Sequence, residues 1–567
     1  MYTPDLAPIA DSLLWSSLIA LLPLATVFVT LGLLRWKAHW AGLSGLAVAA
    51  IVAVLAYRMP VHLVGLAASE GFVFGLFPIM WIVINAIWLY DLTVKSGRFE
   101  DLRLVINRIS DDPRIQAIII GFCFGGLLEA LAGFGAPVAI TGVMLMAVGF
   151  SAIRAATVVL LANTAPVAFG AMAIPIITAG NLTGIPYQEI GAVVGRQTPL
   201  IALFVPMFLV LLADGWRGLK DVWPVALIIG AVFGLAQFVS ATWISVALTD
   251  IIASLAGLAA AVLTLRFWKP KGGEEARQRL FHEASQLDQE DGTAGTGPHG
   301  GAAVTTRTAE AAAPAATALT GKRVLLALFP YLLVIVIFSF AKLWPLLKNA
   351  LAATNISIPW PGLDGNIYTA AGEVSSSTVY TFGWLSSPGT LLLISGIIVA
   401  LVYRVALGDA AMIYWRNLLK LRYSMLTVAS VLALAYVMNL SGQTITIGAW
   451  IAGAGAAFAF LSPILGWLGT AVTGSDTSAN ALFATLQQTA AMRAGIDPTL
   501  LVAANTSGGV LGKMISPQNL TIAATAVGLV GRESEIFRKL IWWSIGMLAA
   551  MCLLVGLQST VLSWMIP

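Results

Sequence analysis

Apolar runs long enough to cross a bilayer recur from one end of this chain to the other, and that constrains the fold more than any motif. A crossing helix needs about 20 apolar residues. Lipid satisfies no backbone polar group, so each run must be helical. Runs broken by charge occupy 13–34, 41–57, 64–90, 155–180, 191–213, 222–240, 243–265, 324–347, 389–407, 423–440, 498–530 and 539–564. Only 10% of the residues are charged and 59% are hydrophobic, more apolar surface than a water-soluble globule can hide. The expected fold is an all-α integral membrane protein with about 12 transmembrane helices. Two further apolar stretches, 115–150 and 448–492, are interrupted by Gly, Pro and small polar residues. They read as re-entrant hairpins.

Several function classes drop out. Cys123 and Cys552 lie in apolar runs, which suits neither a disulfide framework nor a thiolate metal site. His39, His62, His282 and His299 fall in loops or at span ends, so no buried histidine relay is expected. There is no phosphate-binding lysine loop, no HExxH and no nucleophile elbow. No enzyme activity, cofactor or metal is expected. A net charge of +4 reflects loop residues, not a nucleic-acid surface. Met1–Ser12 lacks a basic start and carries Asp5 and Asp11, unlike a cleavable signal.

Basic residues orient the chain. Arg35 and Lys37, then Lys95, Arg98, Arg103, Arg108 and Arg114, then Arg404, Arg416, Lys420 and Arg422 crowd three loops, whereas 349–388 has neither Lys nor Arg. Basic loops stay cytoplasmic. Both termini are then outside, provided each hairpin enters and leaves on one side. A membrane half at 1–265 and another at 324–567 flank a cytoplasmic linker at 266–323. Residues 270–322 are rich in Gly, Ala, Thr, Glu and Gln and read as disordered. The 349–388 loop, with Trp360, Tyr368, Tyr380 and Trp384, reads as an ordered outer cap at the interface. A substrate-capturing role stays open.

A motif is duplicated. ANTAPVAFGAMAIP at 162–175 faces ANTSGGVLGKMISP at 504–517, with Ala, Asn, Thr, Gly, Met and Pro in register. Thr157 and Thr499 extend the match, and ALAG at 130–133 faces AVTG at 471–474 after a one-residue gap. Loop charge makes the two copies run in opposite directions. Inverted repeats with broken helices typify secondary transporters, with the site near the midplane.

Candidate residues cluster on the repeat. Hairpin one carries Gly133 and Gly135, hairpin two Ser475, Thr477 and Ser478. Half-helix N-termini at such tips present unpaired N–H groups to carboxylates; the plainer reading is small-residue helix packing. Asn163, Thr164, Asn505 and Thr506 sit where Pro166 or Gly508–Gly509 would let a helix unwind and expose polar groups to substrate. The alternative is interhelical hydrogen bonding. Glu129, Asp476 and Lys513 are charges inside apolar segments, which default to function. Lys513 is the candidate partner for a substrate carboxylate, or else a structural partner of Glu129 or Asp476. Arg196 with Gln197, Asn85, Asn439 and Gln443 are lesser candidates.

The stretches EALAGFGAPVAI at 129–140, ANTAPVAFGA at 162–171, SGQTITIGAW, TGSDTSAN and ANTSGGVLGKMISPQN resemble the L-lactate permease family over nearly the whole chain. The resemblance implies a proton-coupled importer of L-lactate and related 2-hydroxy-monocarboxylates, including D-lactate and glycolate, in a bacterial inner membrane. It leaves lactate against glycolate open. The partners implied are that monocarboxylate, a proton and the lipid bilayer; oligomeric state is unknown, a homodimer being one arrangement.

A 2-hydroxy acid is an anion at neutral pH, and moving an anion into a negative interior costs about 2.3 kcal/mol per 100 mV. Carrying a proton removes that cost. A desolvated carboxyl can hold the proton; Glu129 and Asp476 are the proton-coupling candidates, and the sequence does not separate them. A sodium-coupled carboxylate transporter is the alternative. A passive channel and a membrane enzyme are the readings from other classes.

Overall fold

The computed structural model describes residues 1–30, 34, 36–107, 109–133, 135–280, 282, 320–368, 374–529 and 532–567. Among these, nine helices are long and apolar enough to cross a membrane, or ten if the bent pair Ala152–Ala162 and Val167–Thr183 counts as one span. The chain is thus a helical membrane protein. The smaller number than the expected twelve has local causes. The apolar helices Leu13–Phe28 and Pro388–Val402 fall short of a full span, and the expected 498–530 breaks after Lys513. The expected crossings 191–213 and 222–240 lie on one 58-residue element, Tyr187–Ile244. At 1.5 Å per residue that is far more than one bilayer. It turns at Gly215, whose φ is +67°, and folds back on itself: Gly195 meets Ala241, and Gly234 meets the Pro199 carbonyl.

The chain is not wholly helical. Strands Ile356–Pro359 and Val379–Phe382 pair antiparallel inside the 349–388 loop. Trp360 Nε1 donates to Ser69 Oγ at 3.0 Å and Tyr380 OH to the Phe77 carbonyl at 2.8 Å, so two of its aromatics pin this sheet to the helices. Tyr2 pairs with Ile367 at the same end.

Hairpin one has arms Pro113–Leu131 and Ala136–Val148, and its tip holds Gly133 and Gly135. Hairpin two is shifted from the expected 448–492. Its arms are Phe458–Thr473 and Asp476–Ala494, because Gly455 breaks the chain before them at φ +57°. Its tip is Gly474, φ +76°. The two tips therefore fall at the final glycines of ALAG and AVTG.

The broken helices differ. The first ends at Ala162, bends 63° through Asn163–Pro166 and resumes. The second does not unwind at Asn505–Thr506 or Gly508–Gly509, contrary to expectation; Pro498–Lys513 is one continuous helix. Those glycines serve close packing instead. A methyl at Gly508 would overlap the Pro463 carbonyl, one at Gly512 the Trp467 carbonyl, and one at Gly466 the Asn505 carbonyl. The chain breaks after Lys513 and restarts at Pro517–Ala526. Ala171, Met172 and Ala173, which match Lys513, Met514 and Ile515 in the repeat, adopt left-handed φ of +45°, +63° and +60°. Both copies thus depart from a straight helix at the same motif position.

The expected linker begins too early. Helix Val246–Phe267 runs through its first residues, and 273–280 are helical. Arg279 Nη2 bonds both Asp214 oxygens, at 3.0 and 2.9 Å, and Arg114 Nη2 donates to the Lys271 carbonyl at 2.6 Å. Residues 281 and 283–319 of the expected linker lie outside the described residues.

Candidate functional site

Hairpin one ends its first arm with Glu129 buried one turn before the tip. Lys513 closes the last turn of Pro498–Lys513, where a cation complements the helix dipole. The two meet: Lys513 Nζ lies 2.6 Å from Glu129 Oε1. Asn163 Nδ2 donates to Glu129 Oε2 at 3.2 Å. Two glycines shape the carboxylate's seat. A methyl at Gly170 would come 2.8 Å from Glu129 Oε1 and one at Gly133 3.3 Å from it. The helix end under Lys513 is capped, since its carbonyl accepts from Ser516 Oγ at 2.9 Å and Asn519 Nδ2 at 3.2 Å.

Asp476 opens the second arm of hairpin two. Ser475 caps that arm, accepting from the Ser478 amide at 3.3 Å. Asp476 Oδ1 accepts from Thr470 Oγ1 at 3.4 Å, and Oδ2 has no partner among the described residues. Gly509 lets this carboxylate approach, since a methyl there would overlap Oδ1.

A cavity of about 1230 Å³ joins these parts. Glu129, Gly133, Gly170, Ala171, Ser475, Asp476, Thr477, Ser478 and Lys513 line it, and it reaches Lys37, His39, Tyr423 and Glu533. Lys513, the Glu129 and Asp476 carboxylates, the hydroxyls of Ser475, Thr477 and Ser478 and the N-terminus of Asp476–Ala494 thus face one space. In an arrangement of this kind a small anion can compete with the carboxylate for the lysine. Left-handed Ala171 stands in the wall. Non-glycine residues there cost roughly 1–3 kcal/mol each and cluster at functional sites.

Other expected residues lie outside the cavity. Asn163 is turned to Glu129 Oε2. Thr164 Oγ1 returns to the Leu161 carbonyl at 2.7 Å. Asn505 and Thr506 both donate to Asn480 Oδ1, each at 3.0 Å, inside the packing between helices. Gly135, φ +86°, packs against Ile522. Gln197 accepts from Ser507 Oγ at 2.6 Å and donates to Gln558 at 2.9 Å, a structural link.

Two acids buried within apolar runs, Asp250 and Glu70, escape the motif-based reading. Asp250 is wholly buried; Gln237 Nε2 donates to its Oδ1 at 3.3 Å and to the Ala165 carbonyl at 3.1 Å, at the bend of the first broken helix. Glu70 is buried, with Oε2 unpartnered among the described residues. Both are charges in apolar runs, the signal that singles out Glu129. No cluster of three or more His, Cys, Asp or Glu able to hold a metal occurs among the described residues.

The comparisons with known proteins bear on the whole chain. The family described as L-lactate permease matches residues 16–562. The L-lactate permease of Bacillus subtilis (strain 168) is 39% identical, all of each chain being covered. Glycolate permease GlcA of Escherichia coli (strain K12) is 40% identical over 97% of each chain, and that organism's L-lactate permease 41% over 98% of each. The YdaH transporter of Alcanivorax borkumensis aligns over 98% of each chain at 14% identity and a TM-score of 0.39, too loose a likeness to carry an argument. A helical membrane protein alike from end to end to these permeases is a transporter and not an enzyme: the chain belongs to the L-lactate permease family.

Proposed function

We propose that this protein imports L-lactate and related 2-hydroxy-monocarboxylates, D-lactate and glycolate among them, together with a proton. The relatives' names, lactate and glycolate permease, support the substrate class. The observation that carries the coupling is the buried Lys513–Glu129 pair facing the cavity. One ammonium carries a single positive charge and cannot neutralise two carboxylates. When the substrate's carboxylate takes Lys513, Glu129 loses its counter-charge. A buried charge stripped of its partner costs roughly 3–5 kcal/mol, so Glu129 binds a proton. When the substrate leaves, Lys513 returns and the proton is released. Substrate and proton thus travel together and the site's net charge is unchanged. Asp476 is the second proton-coupling candidate, and Ser475, Thr477 and Ser478 are donors for the substrate's hydroxyl and carboxylate.

In this reading the two hairpins and broken helices form inverted repeats within 1–265 and 324–567. The basic end, where the cavity reaches Lys37, faces the cytoplasm of a bacterial cell, with both termini outside. The test is transport in proteoliposomes. An inward proton gradient should drive L-lactate uptake in the wild type, with no response to sodium. Lys513→Ala should abolish saturable uptake. Glu129→Gln should lose gradient-driven accumulation yet keep exchange of internal for external lactate. Uptake driven by sodium without a pH gradient would overturn the proton coupling. Recovery of gradient-driven uptake in a Lys513→Met/Glu129→Gln double variant would make the pair structural.

A further inference from the structure

A second cavity, about 390 Å³, lies on the far side of the site. It borders the strand residues Val379–Thr381 and Asn355, at the end where Tyr2 joins Ile367. Tyr2 OH also bonds the Tyr57 carbonyl, just past the end of helix Ala38–Leu55 remote from Lys37 and His39. That helix alone separates the two ends by about 27 Å.

Two helices line both cavities. Gly170, Ala171, Ile174 and Pro175 face the inner one, and Ile177 and Asn181, further along Gly170–Thr183, face the outer one. Positions 174, 177 and 181 share one helix face. Between Ile174 and Ile177 lies less than one turn, about 5 Å. On Leu407–Leu440, Thr427 and Val428 face the inner cavity and Tyr436 the outer. Phe74, Phe77 and Tyr436 supply aromatic bulk to the outer chamber. A left-handed turn at Ala171–Ala173 lies at the inner end of Gly170–Thr183.

The chemistry of the outer chamber is one-sided. Lys348 is the one cation among its described lining residues, and these include no Asp or Glu. Asn181, Gln188, Asn355, Ser386 and Ser387 add neutral hydrogen-bonding groups. Lys348, Asn181, Gln188 and Asn355 are exposed, so the chamber is open to solvent, and a cleft lined by one sign of charge raises the local concentration of the opposite ion.

We propose that this chamber is an outer capture site for a small carboxylate anion, anchored by Lys348, and that the Ile174–Ile177 turn gates it from the Lys513–Glu129 site. The substrate class and the outward orientation of the chamber rest on the transport reading above; the existence of the chamber and its gate does not. An arriving anion is held by Lys348 and the neutral donors until the turn moves, then passes along the shared helix face to Lys513.

The test uses full-length protein in proteoliposomes, with each membrane face assayed separately. Lys348→Gln should raise the half-saturation for L-lactate from the outer face roughly tenfold, keep the maximal rate, and leave half-saturation from the inner face unchanged. Lys348→Arg should restore most of the affinity. An Asn181→Cys variant should react with an impermeant maleimide from the outer face only, and L-lactate or glycolate should slow that reaction. Unchanged outer half-saturation in Lys348→Gln, an equal shift on both faces, or labelling indifferent to both acids overturns the capture site. If Lys348→Gln does not transport, the maleimide result decides. A wild type that moves no lactate, while Asn181→Cys is still protected by an anion, refutes the lactate reading and leaves the chamber standing.

Discussion

Glu129 and Lys513 stand 384 residues apart and meet at 2.6 Å. Each was legible as a charge inside an apolar run, but their pairing was not, because sequence separation says nothing of which buried charges share a counter-ion. The glycines that seat the carboxylate divide the same way. Gly133 is conspicuous in its motif, whereas Gly170 acquires its role from the approach of Glu129. Asp250 obeys the same rule of buried charge yet lies outside the repeat. With no cation bonded to it and Oδ2 unpartnered among the described residues, it is expected to sit in the bilayer as a neutral acid. Asp250→Asn, which keeps shape and neutrality, should then hold the unfolding midpoint of detergent-solubilised protein. Asp250→Leu, which removes the acceptor for Gln237, should destabilise by roughly 1–3 kcal/mol. An equal drop in both variants would show that the negative charge itself matters.

At the scale of elements, the hairpin tips were readable from ALAG and AVTG, since glycine is the residue that turns a chain sharply. The second broken helix was not. Asn505, Thr506, Gly508 and Gly509 look like a point of unwinding, and instead they are the contact face of an unbroken helix. The spacing Gly508–Gly512 lets two backbones close together, with Gly466 opposite. Gly508→Ala and Gly466→Ala should each destabilise by roughly 1–3 kcal/mol through overpacking, measured as thermal unfolding in detergent. Gly546→Ala, where an added methyl meets nothing within 4 Å, is the control and should be neutral or slightly stabilising. Equal behaviour of all three would remove the close-packing account. A local pattern of small and polar residues serves both outcomes, and the neighbouring helix selects between them.

At the scale of the whole molecule, the 266–323 segment separates into two parts. Residues 273–280 pack on the body through Arg279 and Asp214. Deleting 283–318 should leave insertion and lactate uptake near wild-type levels. Extending the deletion back through 273 should lower the yield of folded protein, since the largely shielded Asp214 carboxylate loses Arg279 and keeps Arg114 at 3.4 Å. Full activity after the longer deletion would show that this docking is dispensable. By itself the sequence determined that the chain is helical and lies in a membrane, because lipid allows nothing else for such apolar runs. It also marked the repeat, its hairpin tips and the charges worth watching. Only the tertiary structure decided which carboxylate receives Lys513, which polar residues face the cavity and which are sealed between helices, and that two chambers share one helix face. Those are matters of which surfaces meet, and contacts between distant segments leave no local trace in the chain.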